Sequence, residues 1–355
     1  MKKILLINGA ILAAGVFILE LGFGSWFSPH RLDQLNIVRH ANYTFRVDSL
    51  YASLKKYARY QRDLYGLRGK YSDPAHIDIL TMGGSATDQR YLDEGDTWQD
   101  VLHGRFRQNG SDVSVVNAGV DGQSTIGNLK DFEIWFPQIP NLKPRYVLVY
   151  LGPNDLFTDD RAAPDDVEGS HSIKAMLKSK SALHRLYRNL TGAYLASVAF
   201  PVSHRAISFS RLPWTHTPLR RSYEDFQSGR LARFEKRVRN LLATIRRWGA
   251  KPIVVTQPMR IYKEENGGIL GVATPMAIDG VSVNGADIAH MLWMIHRKAL
   301  DVCEDEGGIG LDLARQVNFT DDDFYDYVHN TPAGARKIGD YLYSRLKWLF
   351  APVKV

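Results

Sequence analysis

The sequence predicts a three-layer α/β/α sandwich on a five-stranded parallel sheet, with an apolar helix added at the N-terminus and a helical insertion. Three observations carry that prediction. Short apolar runs alternate with helical stretches from about residue 74 to the C-terminus. The runs end in turns rich in Gly, Ser and Asn, and in sheets of this kind functional groups gather beyond the carboxyl ends of the strands. Finally, 45% of the 355 residues are hydrophobic and 23% charged, which excludes wholesale disorder and the collagen-like and coiled-coil classes.

The elements follow in chain order. Met1-Lys2-Lys3 precedes an uncharged run from Ile4 to Leu19; Glu20 interrupts, and Leu21 to Phe27 is uncharged again. This is a signal anchor or signal peptide over residues 1–28: long enough to approach the ~20 apolar residues of a span, with Gly22-Phe23-Gly24 offering a small-x-small cleavage site. Residues 29–73 read as a helical linker, because Leu50, Leu54, Tyr57 and Leu64 give a polar-amphipathic helix over Phe45–Tyr65. The main domain is expected over 74–355. Its strands are Ile77–Met82, Val113–Val116, Tyr146–Leu151, Ile253–Thr256 and, more weakly patterned, Ile309–Leu313. Helices are expected at Thr97–Gln108, Phe226–Trp248, Asp287–Glu306 and Pro332–Phe350. An insertion at about 160–225, broken by Pro201, Pro213 and Pro218 into short helices and loops, interrupts the alternation.

Charge is unevenly spread. The chain carries 45 Lys+Arg against 38 Asp+Glu, a net +7. Between Gly169 and Tyr223 there are nine Lys/Arg and no acid, so that stretch alone exceeds the whole net charge. Such a stretch is either a solvated insertion or a face for an anionic membrane or polymer. Within it Leu183, Leu186, Tyr187 and Leu190 share a helical face, with Lys180, Arg185 and Arg188 interleaved. The single cysteine, Cys303, excludes an intrachain disulfide and a Cys-based zinc site.

Four blocks carry chemistry. Gly83-Gly84-Ser85 closes the first strand; the glycines allow a sharp turn with an exposed hydroxyl, although on this segment alone an ordinary N-cap serine is the stronger reading. Asp326-Tyr327-Val328-His329 sets a carboxylate three residues before an imidazole, the pair that a serine nucleophile needs as orienter and base. The neighbouring Asp321-Asp322-Asp323 run offers carboxylates for a cation beside His329, but the spaced His/Glu set of a catalytic metal is missing and no metal is expected. Asn154 in Gly152-Pro153-Asn154-Asp155 and Gly122 in Asn117-Ala118-Gly119-Val120-Asp121-Gly122 are donors suited to the negative oxygen of an acyl-transfer transition state.

In this order, over Ile77 to Tyr341, the blocks resemble the SGNH/GDSL hydrolase family of serine esterases, in a membrane-anchored or exported form. The resemblance implies the flavodoxin-like fold of that family. It also implies Ser85 as nucleophile, His329 as general base and then acid, and Asp326 as its orienter. The oxyanion hole would be the N–H of Ser85, the N–H of Gly122 and the side-chain amide of Asn154, with Gly119 as the competing glycine donor. One departure stands out: the family's first block often has Asp before the serine, and here Gly84 occupies that place. No cofactor is implied.

The expected activity is hydrolysis of an ester-linked acyl group, acetyl by analogy, from an acylated carbohydrate of the cell surface or an exported polysaccharide, or from a small ester. An O-acyltransferase with the same triad and a non-catalytic component of envelope polysaccharide assembly are the alternatives. Phe157 and Trp214 are the better sugar-stacking candidates among Trp135, Tyr150, Phe157, Trp214 and Tyr262. The expected partner beyond substrate is a membrane, through the N-terminal helix and the basic 169–223 stretch; nucleic acid is not expected. Lys2 and Lys3 predict a single-pass protein with its domain on the extracytoplasmic (periplasmic) side, or a secreted one after cleavage.

Overall fold

Five short apolar runs assemble the sheet on which the candidate site rests. The computed structural model describes residues 2–24, 26–27, 35, 37–52, 55–158, 177, 180–184, 186–187 and 199–350. The chain opens with helix α1 (Lys2–Phe23) and a hairpin of β1 (Ala41–Arg46) and β2 (Tyr57–Arg62). Then come β3 (Ile79–Gly83), α2 (Ser85–Asp88), α3 (Trp98–Gln108), β4 (Val115–Asn117), α4 (Thr125–Lys130), β5 (Tyr146–Leu151) and α5 (Pro153–Phe157). Further on, β6 (Ala199–Pro201) and β7 (Trp214–Thr215) lead to α6 (Ala232–Arg247) and β8 (Lys251–Thr256). Four short strands follow: β9 (Tyr262–Glu265), β10 (Gly268–Val272), β11 (Met276–Ile278) and β12 (Val281–Val283). The last elements are α7 (Gly285–Asp305), β13 (Ile309–Leu311) and α8 (Pro332–Leu346).

The main sheet has the order β13-β8-β5-β3-β4, and every pairing in it is parallel. The expected five-stranded parallel sheet is therefore what forms. Side chains alternate between its faces, as the pleat requires. Leu80, Met82, Val147, Val149 and Val254 pack against Phe234, Leu241 and Ile245 of α6 and Leu292 and Ile295 of α7. Ile79, Leu148, Tyr150, Ile253 and Val255 pack on the other side against Trp98, Leu102 and Phe106 of α3 and Ile338 and Leu342 of α8. Local chemistry sets the helix starts. Thr97 with Asp100 and Asn284 with Asp287 form capping boxes, and Thr331 caps α8 ahead of Pro332.

From β3 the chain steps outward to β4, then returns to the other side of β3 as β5. The carboxyl ends of β3 and β5 thus flank the point where strand order reverses, the place where open α/β sheets form a crevice.

The helix expected over Phe45–Tyr65, and with it the helical linker over 29–73, is replaced in the described residues by the β1–β2 hairpin, paired from Ala41↔Arg62 to Arg46↔Tyr57. Periodicity explains the error. Tyr57–Arg62 alternates exposed with buried residues, burying Ala58, Tyr60 and Arg62, and Tyr43 stacks on Tyr60 across the pair. Leu50 is buried, but in the bend between the strands, with Val47, Ala58 and Tyr91. Its helical spacing to Tyr57 is coincidental.

In its described second half the insertion holds, besides loops and a short 3-10 helix at Phe209–Arg211, two short strands that were not expected. There β6 pairs in parallel with β1, placing Phe200 opposite Phe45, and β7 pairs with β10. The unsatisfied edge of β1 and the aromatic packing of Phe200 on Tyr43 and Phe45 favour an extended segment. Arg185, Arg188 and Leu190 of the proposed amphipathic face lie outside the described residues.

Helix α1 buries none of its residues and is long and apolar enough to cross a membrane. Glu20, near its end, accepts hydrogen bonds from Trp26 Nε1 at 2.9 Å, Ser181 Oγ at 2.6 Å and the N–H groups of Ala182 and Leu183.

Candidate active site

The turn after β3 is built by glycine. Gly83 has φ +148°, and a Cβ there would stand 2.4 Å from the carbonyl oxygen of Tyr150 on β5. This close approach launches Ser85 as the first residue of α2, at the crevice. Its Oγ lies 2.7 Å from His329 Nε2.

His329 arrives from the other end of the chain on a compact turn. Asp326 Oδ1 accepts the N–H groups of Val328 and His329, and its carboxylate faces His329 Nδ1 at 2.8 and 3.0 Å. The N–H of Tyr325 donates to the carbonyl of His329, closing the turn ahead of α8. Burial pushes the Asp326 carboxyl up, but the bonds from His329 and the two backbone N–H groups outweigh it and hold the group below the ordinary carboxylate range. The structure therefore brings Ser85, His329 and Asp326, separated by 244 residues, into one hydrogen-bonded chain.

Asn154 and Gly122, two of the candidate donors, both adjoin Gln123, whose carbonyl faces the turn before Ser85. Asn154, on α5 at the end of β5, donates from Nδ2 to the carbonyl of Gln123 at 2.8 Å. A Cβ on Gly84 would fall 2.1 Å from that Nδ2, so the amide sits directly against the residue preceding Ser85. Gly122 is exposed, with φ +78°, one residue before Gln123. The N–H of Gly119 is instead taken by Asn117 Oδ1 at 2.8 Å, while Asn117 Nδ2 donates to the carbonyl of Thr87. The competing glycine donor is thus already spent. Asp155 is buried and accepts Thr125 N–H and Oγ1, tying α5 to α4.

The Asp321–Asp323 run points away from His329: Asp321 pairs with Arg260 and Asp323 with Lys337. His204, Asp326 and His329 do offer ligand atoms within 4.8 Å of one another. However, His329 has both ring nitrogens engaged, and the His204 ring lies tilted against it, centroids 4.3 Å apart and planes at 32°. His204 Nδ1 is itself bonded to Tyr325 OH, so these nitrogens already have partners within the protein.

His204 and Tyr325 are the site residues that sequence reasoning missed. His204 Nδ1 bonds Tyr325 OH at 3.0 Å, and the Tyr325 ring lies nearly parallel to that of His329. Burial holds the His204 imidazole below its ordinary range, and the nearby His329 adds to this. His204 sits in the acid-free stretch, where charge drew attention away from it; Tyr325 directly precedes Asp326 and was within reach of the motif. Of the aromatic candidates, Trp135, Tyr150 and Tyr262 are core residues. Phe157 is exposed, and Trp214 packs under Lys263.

A profile of the GDSL-like lipase/acylhydrolase family matches residues 81–337, spanning both the Ser85 and the His329 blocks. The chain belongs to that family. It is a GDSL hydrolase acting on carboxylic esters, as the resemblance implied. No curated protein matches it by sequence. Among solved structures it is similar to TesA at 16% identity, with a TM-score of 0.43 over 77% of this chain and 99% of that one. It is similar to the psychrotrophic esterase EstA from Pseudoalteromonas sp. at 15% identity, with a TM-score of 0.42 over 77% and 98%. It is also similar to a catalytic mutant of Axe2, an acetylxylan esterase from Geobacillus stearothermophilus, at 12% identity, with a TM-score of 0.42 over 77% and 94%.

Proposed function

We propose that this GDSL hydrolase is a serine esterase that removes short acyl groups, acetyl first among them, from a carbohydrate outside the cytoplasm. The observation that carries the reading is the unbroken chain from Ser85 Oγ through His329 to the Asp326 carboxylate. Ser85 attacks the ester carbonyl as His329 Nε2 takes its proton. Asp326 holds the imidazole with Nδ1 protonated and stabilises the imidazolium. The tetrahedral oxyanion is met by the N–H of Ser85, the N–H of Gly122 and the second N–H of the Asn154 amide. His329 returns the proton to the departing alcohol; water, activated by the same imidazole, then releases the acid and frees Ser85.

The surroundings favour a polar ester over a long acyl chain. Arg90 and Asp121 pair at 3.5 Å, and both lie within electrostatic reach of His204 beside His329. A charged rim of this kind suits a sugar hydroxyl leaving group. The extracytoplasmic, membrane-tethered placement rests on α1. Its 22 residues span about 33 Å at 1.5 Å per residue, enough for a ~30 Å hydrocarbon core, and Lys2 and Lys3 mark the cytoplasmic end. Glu20 then lies near the far boundary and holds residues 181–183 there. Leu183, Leu186 and Tyr187 are exposed, which supports a second membrane contact from the basic stretch.

The test compares the full-length protein in detergent with Ser85→Ala on p-nitrophenyl acetate, butyrate and octanoate. The reading requires turnover that disappears in the variant and falls with chain length. Equal rates in both proteins refute it. Ser85-dependent acetyl transfer to an oligosaccharide with no free acetate released would instead identify an O-acyltransferase.

A further inference from the structure

The family match begins at Thr81, yet the nucleophile helix is gripped by residues that precede it. Arg62, at the end of β2, is buried, and its guanidinium is divided among three parts of the molecule. It pairs with the carboxylate of Asp88, the last residue of α2. It donates at 2.7 Å to the carbonyl of Gly119, on the loop that leads to Gly122. It also donates to the carbonyl of Gly66 in its own return loop, and its Nε to Tyr60 OH, which in turn donates to Asp88. Arg68 repeats the grip from the same return loop: it donates to the carbonyls of Asp88, Gln89 and Leu92.

Ser85 and Gly122 therefore stand on two pieces of backbone joined by one buried side chain from outside the matched domain. The two pieces touch: a Cβ on Gly119 would fall 2.5 Å from the N–H nitrogen of Asp88. Their separation fixes how far the nucleophile lies from a donor on the Gly119–Gly122 loop. In transition-state stabilisation that separation is decisive, because donors must already sit where the oxyanion will form.

We infer that Arg62 is a positioning residue for ester hydrolysis, and that the β1–β2 hairpin is a working part of the catalytic unit rather than a linker to it. The inference rests on the reading of Ser85 and Gly122 given above. Arg62 touches no reacting atom; it acts by locking α2 to the donor loop. A planar guanidinium can reach Asp88, Gly119 and Gly66 at once, and a lysine ammonium at the same place cannot.

The test uses the full-length protein in detergent. Arg62→Ala leaves Asp88 short of its main partner and risks unfolding. The informative variants are therefore Arg62→Lys, which keeps the charge, and Arg62→Met/Asp88→Asn, which removes the pair together. Each is measured at a temperature where circular dichroism shows it folded, with p-nitrophenyl acetate. The expected result is a kcat 10- to 100-fold below wild type in both, with KM within threefold. Combined with Asn154→Ala, the penalties should be less than multiplicative, because both changes damage one oxyanion site. A folded Arg62→Lys with kcat within threefold of wild type overturns the inference while leaving the serine-esterase reading intact. A wild type without Ser85-dependent turnover overturns both.

Discussion

Gly84 offers a perturbation aimed at the Asn154 amide beside Ser85. A methyl group added there would lie 2.1 Å from Asn154 Nδ2 and 2.9 Å from the carbonyl oxygen of Gln123. Ordinary contact begins near 3.4 Å, so the amide must retreat by about 1.3 Å. Gly84 is buried and the second atom, the Gln123 carbonyl oxygen, is backbone, so the methyl also costs folding energy, on the order of 1–3 kcal/mol for overpacking. Asn154 is assigned one of the oxyanion bonds, and a displacement of that size removes it; losing one such donor costs roughly 2.7–4 kcal/mol, or 10²–10³ in kcat. Gly84→Ala should therefore lose about 100-fold in kcat on p-nitrophenyl acetate, measured under conditions where urea melts show it still folded. Asn154→Ala should lose a similar factor, and the double variant should be no more than threefold worse than Asn154→Ala alone, because the second change acts on a bond already gone. Retention of a third of wild-type kcat by Gly84→Ala, or full multiplication of the two losses, would show that the amide beside Ser85 does no work on the transition state.

Two further outcomes follow from the same geometry. Asp326→Asn should fold normally but lose about 10⁴ in kcat, because an amide no longer fixes the His329 tautomer; steady-state kinetics with a thermal melt checks both halves. His296 reports on pH: it is fully buried beneath the Gly152 turn, and burial lowers its pKa from 6.5 to about 3. Above pH 6.5 both folded and unfolded chains hold it neutral. Between 6.5 and about 3 the unfolded chain binds one more proton, so stability declines as pH falls, by about 1.4 kcal/mol per unit. Urea melts from pH 6 to 4 should show that slope reduced by one proton in His296→Leu; parallel slopes would mean that the ring titrates normally.

What was legible in the sequence was what local chemistry dictates. The strand Tyr146–Leu151 is a run of apolar residues buried on both faces, and no helix of that length would bury them all. The helices expected from Thr97, Asp287 and Pro332 form where they do because Thr97, Asn284 and Thr331 each place a side-chain oxygen at the cap position. Ser85, Asp326 and His329 stood out through short-range patterns, a strand-end turn and a three-residue Asp–His spacing, but only the family resemblance joined them; the side chains of Ser85 and Asp326 each lie within hydrogen-bond distance of His329. The hairpin over 41–62 was not legible, because its register is fixed by partners 11 to 21 residues apart, such as Arg46↔Tyr57 and Ala41↔Arg62, and three leucines and a tyrosine at helical spacing outweighed a six-residue alternation. His204 was invisible for the same reason: its place on His329 is set by the pairing of β6 with β1, a contact between segments more than 150 residues apart.

The departure at Gly84 now has a local physical basis. In this chain the space that any side chain at that position would fill holds the Asn154 amide and the Gln123 carbonyl, which are hydrogen-bonded to each other. Gly84 itself has φ −84°, an ordinary value, so glycine is needed there for room and not for backbone freedom. The contrast is Gly83, where φ +148° and the nearby Tyr150 carbonyl together exclude a side chain. The two glycines before Ser85 thus do different jobs: the first bends the strand end into α2, and the second lets the Asn154 amide come against the nucleophile turn. Gly83→Ala should accordingly cost mainly folding stability, whereas Gly84→Ala should cost turnover beyond its loss of stability, and the two variants measured side by side separate a requirement of the fold from a requirement of the site.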